Sequence, residues 1–140
     1  MREGLTSHSK PFQEFKEARG FDLKILFELD TNPGRLSWLV TYMDFMAREG
    51  EPLSLCPSMY KEPLDLFKLY RAVGEEGGFR SCSANKAWKR ISVKMTQNYR
   101  QSFLWRLLQK LYRKYLLKFE IFDKYDDKPA NLEELCHLVT

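Results

Sequence analysis

The sequence is poor in the groups that staple or metallate small proteins. Its 140 residues hold three cysteines, Cys56, Cys82 and Cys136, and two histidines, His8 and His137. An odd number of widely spaced cysteines with no C-x-x-C speaks against a disulfide framework and for a reduced intracellular compartment. Neighbouring Cys136 and His137 lack metal-ligand spacing, so no metal is expected. No apolar run approaches the ~18 residues of a membrane span, and MREGLTSHSK at the start has no apolar core of a secretory signal. There is no N-x-S/T site, no repeat and no Gly/Ser linker.

Acid is missing from one long stretch. From Gly77 to Phe119 there are eleven Lys or Arg and no Asp or Glu, while the rest of the chain carries 12 basic and all 19 acidic residues. A net charge of only +4 therefore hides a strong segregation, which points to a polyanionic partner. Nucleic acid and an anionic membrane both satisfy that condition.

The patterning predicts an all-α bundle of six to seven helices. Pro11 to Asp30 reads as helix interrupted near Gly20. Asn32-Pro33 ends one element and starts the next. Leu36, Leu39, Val40, Met43 and Met46 give Arg35–Glu49 a helical face, and Gly50 ends it. Residues 51–63, with three prolines, read as a long loop containing a small hairpin. Leu64 or Asp65 opens a helix lined by Leu66, Leu69, Tyr70 and Val73, and Gly77-Gly78 closes it. Ser83 or Asn85 caps a helix over 84–95, with Ala84, Trp88, Ile91 and Met95 on one side. A polar break at 96–101 precedes a long helix from Ser102 to Phe122. Asn131 and Glu134 resemble a capping box for a short last helix.

At 100° per residue from Arg106, Leu104, Leu108, Leu111, Tyr115, Phe119 and Phe122 fall between roughly 140° and 220°. Arg106, Lys110, Arg113 and Lys114 fall between roughly −20° and 80°. One face is core and the other cationic. Lipid binding needs the apolar face free, but the other helices need it to close a core. The exposed cations then fit phosphate, in a helix-turn-helix-like order. Trp88 and Tyr70, Tyr112 and Tyr115 read as core or half-buried aromatics. No nucleophile, base and orienting group form a visible set, and adjacent Glu75-Glu76 and Glu133-Glu134 do not share a helix face, so no enzyme and no cofactor are expected.

Several stretches in fixed order resemble the ARID (AT-rich interaction) domain: Pro63-Leu64-Asp65-Leu66-Phe67 with Leu69-Tyr70, Gly77-Gly78-Phe79, Lys86-x-Trp88, and Leu108-x-Lys110-x-Tyr112-x-x-Tyr115-Leu116. The similarity covers roughly residues 34–122. Upstream, LKILFELDTNPGRLSW is similar to the lead-in helix of the ARID in Osa-type large subunits of SWI/SNF chromatin remodellers. The resemblance implies a nuclear, monomeric, helical module that binds double-stranded DNA with weak or AT-leaning preference, inside a larger protein that contacts other remodelling subunits. With the loose first ten residues (1–10) and the acidic tail (123–140) read from the sequence itself, the resemblance marks a lead-in extension (11–33) and the domain (34–122).

By position, the recognition end is Asn98, Tyr99, Arg100, Gln101 and Ser102, continuing to Arg106. Lys61 is the only cation of the 51–63 loop. Arg100 and Arg106 can fork onto guanine or neutralise phosphate. Gln101 and Ser102 can bond a base edge or phosphate, or Ser102 can simply cap the helix. Lys110, Arg113 and Lys114 suit phosphate, and Lys89 and Arg90 extend the surface. Family members commonly have small residues where this chain has Phe103-Leu104-Trp105. Phe103 and Trp105 lie off the core stripe; they contact thymine methyls or sugars, pack on the loop, or block the groove. If they block it, the domain is a protein-interaction module.

Overall fold

The structure is a computed structural model and describes residues 20–124. The expected loose terminus, the helix from Pro11 up to Gly20, and the Asn131–Glu134 capping box lie outside these residues. The described chain forms two compact units, one ending at Leu64 and one beginning at Asp65. Among the described residues, seven α-helices, one 3-10 helix and a two-stranded ribbon make up the all-α fold expected from the sequence.

The first unit opens differently from expectation. Phe21 is not helical: its N–H and C=O both bond Cys56 at 2.8 Å. A Cβ on Gly20, at φ +129°, would lie 2.6 Å from the Cys56 carbonyl oxygen, so the close approach needs glycine. The Asp22 carboxylate accepts from the Lys24 amide at 3.0 Å, and only the single turn α1 (Ile25–Glu28) comes after it.

The next helix, α2 (Gly34–Arg48), begins where Asn32 Oδ1 accepts from the Gly34 amide at 2.8 Å. Its buried face is Arg35, Leu39, Tyr42, Phe45 and Met46, while Leu36 and Val40 are exposed, against the expected stripe. Arg35 is the cause. Its guanidinium forks onto Asp30 with two bonds of 2.9 Å and donates to the Leu26 carbonyl at 2.8 Å. That anchorage turns the Arg35 side inward and Leu36 outward. Gly50, at φ +79°, ends the helix as expected.

The 51–63 segment does contain a hairpin: β1 (Ser58–Met59) pairs antiparallel with β2 (Glu62–Pro63). Tyr60 and Lys61 at its turn both have positive φ, 55° and 68°, the demand of a type I′ turn. Cys56 is buried and unoxidised, its thiol donating to the Pro57 carbonyl at 3.3 Å.

The second unit starts with α3 (Leu66–Glu75), capped by Asp65, whose carboxylate accepts from the Lys68 amide at 3.0 Å. Leu66, Phe67, Leu69, Ala72 and Val73 are buried. Gly77 and Gly78, at φ 100° and 104°, stop it. The expected 84–95 helix starts only at Trp88, as α5 (Trp88–Thr96); a separate helix not expected from the sequence, α4 (Phe79–Ala84), precedes it, and Lys86 with φ 57° divides the two. The α4 start is held from afar: the buried Glu120 carboxylate accepts from the Phe79 amide at 3.1 Å and from the Tyr112 hydroxyl.

The expected helix from Ser102 to Phe122 is three pieces. A 3-10 helix (Tyr99–Leu104) leads into α6 (Trp105–Tyr115), and α7 (Leu117–Lys124) succeeds it after a break at Leu116, φ −121°. Leu116 and Leu117 are both buried, which a straight helix with one narrow apolar stripe does not allow. After the break Ile121, off the predicted arc, is buried too. The core gathers Phe79, Trp88 and Tyr112, with ring centroids 5.6 to 5.8 Å apart. Trp88 is thus a core residue, as its spacing implied.

Candidate nucleic-acid interface

The turn between α5 and the 3-10 helix is tightly bonded. Gln97 takes a left-handed conformation, φ 56° and ψ 33°, ending α5. Asn98 Oδ1 accepts from the Arg100 amide at 2.9 Å, making Asn98, not Ser102, the cap of the 3-10 helix. The Thr96 hydroxyl accepts from the Asn98 amide at 3.3 Å. The fully buried Ser92 hydroxyl donates to the Gln101 carbonyl at 3.1 Å. These bonds fasten the recognition end to α5, and every side chain they use is of a type common in turns.

Asn98 and Arg100 are exposed on this turn, and Gln101 and Ser102 half-buried. Tyr99 begins the 3-10 helix. Arg106, Lys110, Arg113 and Lys114 are all exposed on α6. Arg106, Lys110 and Arg113 line one shallow depression with Trp105, Leu107 and Gln109. Lys61 stands exposed at the hairpin turn of the first unit.

Aromatic rings hold several of these cations. The Arg106 guanidinium lies 5.2 Å over Trp105, Arg113 5.7 Å over Phe79, and Lys114 Nζ 5.2 Å over Tyr115. Such stacking orients a cation and leaves its outward N–H groups available to an anion. No carboxylate of the described residues forms an ion pair with Arg100, Arg106, Lys110, Arg113 or Lys114.

The cationic segment is not uniformly open, however. Arg90 pairs with Glu76 at 2.7 Å and Lys94 with Glu75 at 3.3 Å. Arg90, expected with Lys89 to extend the surface, thus has an acidic partner within the unit while staying exposed itself; Lys89 is exposed too. Lys86 and Lys89 also border a cavity of about 430 Å³ lined by Trp88 and Trp105. Lys86 figures in the sequence only as part of the Lys86-x-Trp88 motif and Arg80 in no motif, though both belong to the acid-free stretch. Phe103 and Leu107 are exposed on the cationic side.

Burial raises the Tyr112 phenol well above the ordinary tyrosine range, with the Glu120 charge adding to it. Burial likewise pushes the Cys82 thiol up to about 11. Neither group is thiolate or phenolate at neutral pH, so neither offers a nucleophile.

Comparison with known proteins agrees with the motifs. The family model described as ARID/BRIGHT DNA binding domain matches residues 35–120. Trithorax group protein osa of Drosophila melanogaster is 40% identical over 105 residues, 74% of this chain and 4% of that protein. AT-rich interactive domain-containing protein 3B of Homo sapiens is 33% identical over 112 residues, 80% of this chain and 20% of that protein. AT-rich interactive domain-containing protein cfi-1 of Caenorhabditis elegans is 34% identical over 97 residues, 69% of this chain and 21% of that protein. The chain thus spans a small part of the length of these relatives.

Proposed function

The chain belongs to the ARID/BRIGHT DNA binding domain family, and from that premise we propose that it grips duplex DNA mainly through phosphates, with weak or AT-leaning preference. The start of the 3-10 helix and α6 enters the major groove. Asn98, Tyr99, Arg100, Gln101 and Ser102 face base edges or the flanking phosphates, and Arg106 continues that contact. Lys110, Arg113 and Lys114 neutralise backbone phosphates, and Lys61 supplies a backbone contact from its loop. Residues 34–122 are the DNA-binding body. The domain acts as a monomeric, nuclear module of a larger protein in chromatin remodelling or transcription regulation.

The observation that carries this reading is the face of α6: exposed cations that form no ion pair with a carboxylate among the described residues, preceded by a turn pinned to α5 by the Ser92–Gln101 bond. A face of one sign is unusual for a mere solvated surface, where both signs interleave. Phosphates on the two sides of a groove are the counter-charges that fit it.

An NMR titration of the labelled chain with AT-rich and GC-rich duplexes, at two salt concentrations, tests the reading. Shifts centred on 98–110 and Lys61 that weaken with salt support it. A difference between duplexes supports sequence reading, and equal shifts support backbone holding alone. Silence at those residues with both duplexes contradicts it.

A further inference from the structure

Two large apolar side chains stand out on the cationic face. Phe103 is 62% exposed and Leu107 39%. They are one turn apart at the junction of the 3-10 helix and α6. Stepping from Arg106 by about 100° per residue in α6 and about 120° per residue in the 3-10 helix, Phe103 falls near about 40° and Leu107 near about 100°, the same arc as Lys110 and Lys114 at about 40° and 80°. The pair therefore lies within the cationic face, not at its border with the core. The opposite side of α6 is already buried through Leu108 and Tyr112.

Single exposed apolar residues need no explanation. Here two adjoin, surrounded by cations that draw the face onto a polyanion. An apolar ridge between phosphate-binding groups meets base edges, and in the major groove those edges carry one apolar group: the C5 methyl of a pyrimidine. A lipid surface fits less well, because two side chains are too small an apolar face for an interfacial helix.

We propose that Phe103 and Leu107 form a methyl-reading ridge, which selects C5-methylated pyrimidines, thymine and 5-methylcytosine alike, over uracil and unmodified cytosine. The inference rests on the DNA-binding reading and deepens it. It assigns preference for AT-rich duplex to a contact with methyl groups rather than to hydrogen bonds, and it extends that preference to methylated cytosine in GC-rich duplex.

The test uses the 140-residue chain and fluorescence anisotropy at fixed salt. Three sets of probes are needed: an AT-rich duplex with thymine or with uracil in its place, a GC-rich duplex with cytosine or 5-methylcytosine, and one of each measured across salt. The ridge predicts about fourfold tighter binding for each methyl covered, in both chemical settings. The 5-methylcytosine pair separates methyl contact from any change of duplex shape peculiar to uracil. A Phe103→Ala, Leu107→Ala double variant should lose most of that discrimination while keeping the salt dependence, and circular dichroism checks its fold. Equal binding of wild type to methylated and unmethylated probes, still salt-dependent, overturns the ridge and leaves phosphate holding intact. Full discrimination in a folded double variant also overturns the ridge. No salt-dependent binding to any duplex overturns both readings.

Discussion

The Ser92 hydroxyl, fully buried, donates a 3.1 Å hydrogen bond to the carbonyl of Gln101. It joins the middle of α5 to the recognition end and sets how that end is presented. A Ser92→Ala substitution leaves the carbonyl without this donor and should cost about 1 kcal/mol. Denaturant unfolding checks the stability. Faster amide exchange at 98–102, with DNA affinity reduced for all sequences, is the expected companion.

Arg106 and Lys110 are exposed, and neither has an ion-pair partner among the described residues, so replacing either by Ala should change stability by less than about 0.5 kcal/mol. Each should nevertheless weaken duplex binding. If the side chain meets phosphate, the loss is uniform across sequences and the salt slope falls by about 1. Arg90→Ala is the contrast. Its partner Glu76 already satisfies it at 2.7 Å, so DNA affinity should change little.

Glu120 is buried and receives both the Phe79 amide and the Tyr112 hydroxyl. Glu120→Ala strands two buried donors and opens a void, and should cost about 3 kcal/mol or more by denaturant unfolding. DNA affinity of the fraction still folded should fall only modestly, because the one link from these groups to the cationic face is the Phe79 ring under Arg113.

The shape of the fold was largely readable, because its punctuation is local. Asp65 caps α3 with its own side chain, Gly50 and Gly77-Gly78 stop helices by positive φ, and the hairpin comes from a two-residue turn. The cationic face of α6 likewise depends only on helical spacing. What escaped the sequence is held by tertiary partners. α4 has no side-chain cap of its own and is held from Glu120, 41 residues away. Arg90 meets Glu76 across 14 residues, so this pairing has no local signature. Arg35 lies outside the apolar stripe expected for its helix, yet its bonds to Asp30 and Leu26 bury it, while Leu36 and Val40 are exposed.

Asp30 is the main charged partner of that buried arginine. Asp30→Ala leaves Arg35 with the Leu26 carbonyl as a remaining acceptor, and Asp30 itself is half-exposed. The expected cost is about 1–3 kcal/mol, below that of a fully buried pair, seen as a lower unfolding midpoint with an unchanged denaturant slope.

Stability at alkaline pH is set by the raised groups. Cys82 lies at about 11 in the fold against an ordinary 9.0, and Tyr112 and Tyr70 lie above their ordinary 10.0, all first through burial. Each favours its neutral form when folded. That stability is complete below the ordinary value and is lost as pH rises towards the folded one. Unfolding free energy should therefore hold to about pH 9 and fall above it. Cys82→Ala should remove the earliest part of that fall, between about pH 9 and 11.

The central claim is that this chain holds duplex DNA through an unopposed cationic face on α6. The salt dependence of duplex affinity tests it most directly. With about four to eight phosphates neutralised, log K should fall against log salt with a slope of about −4 to −7. A slope near zero would contradict the account.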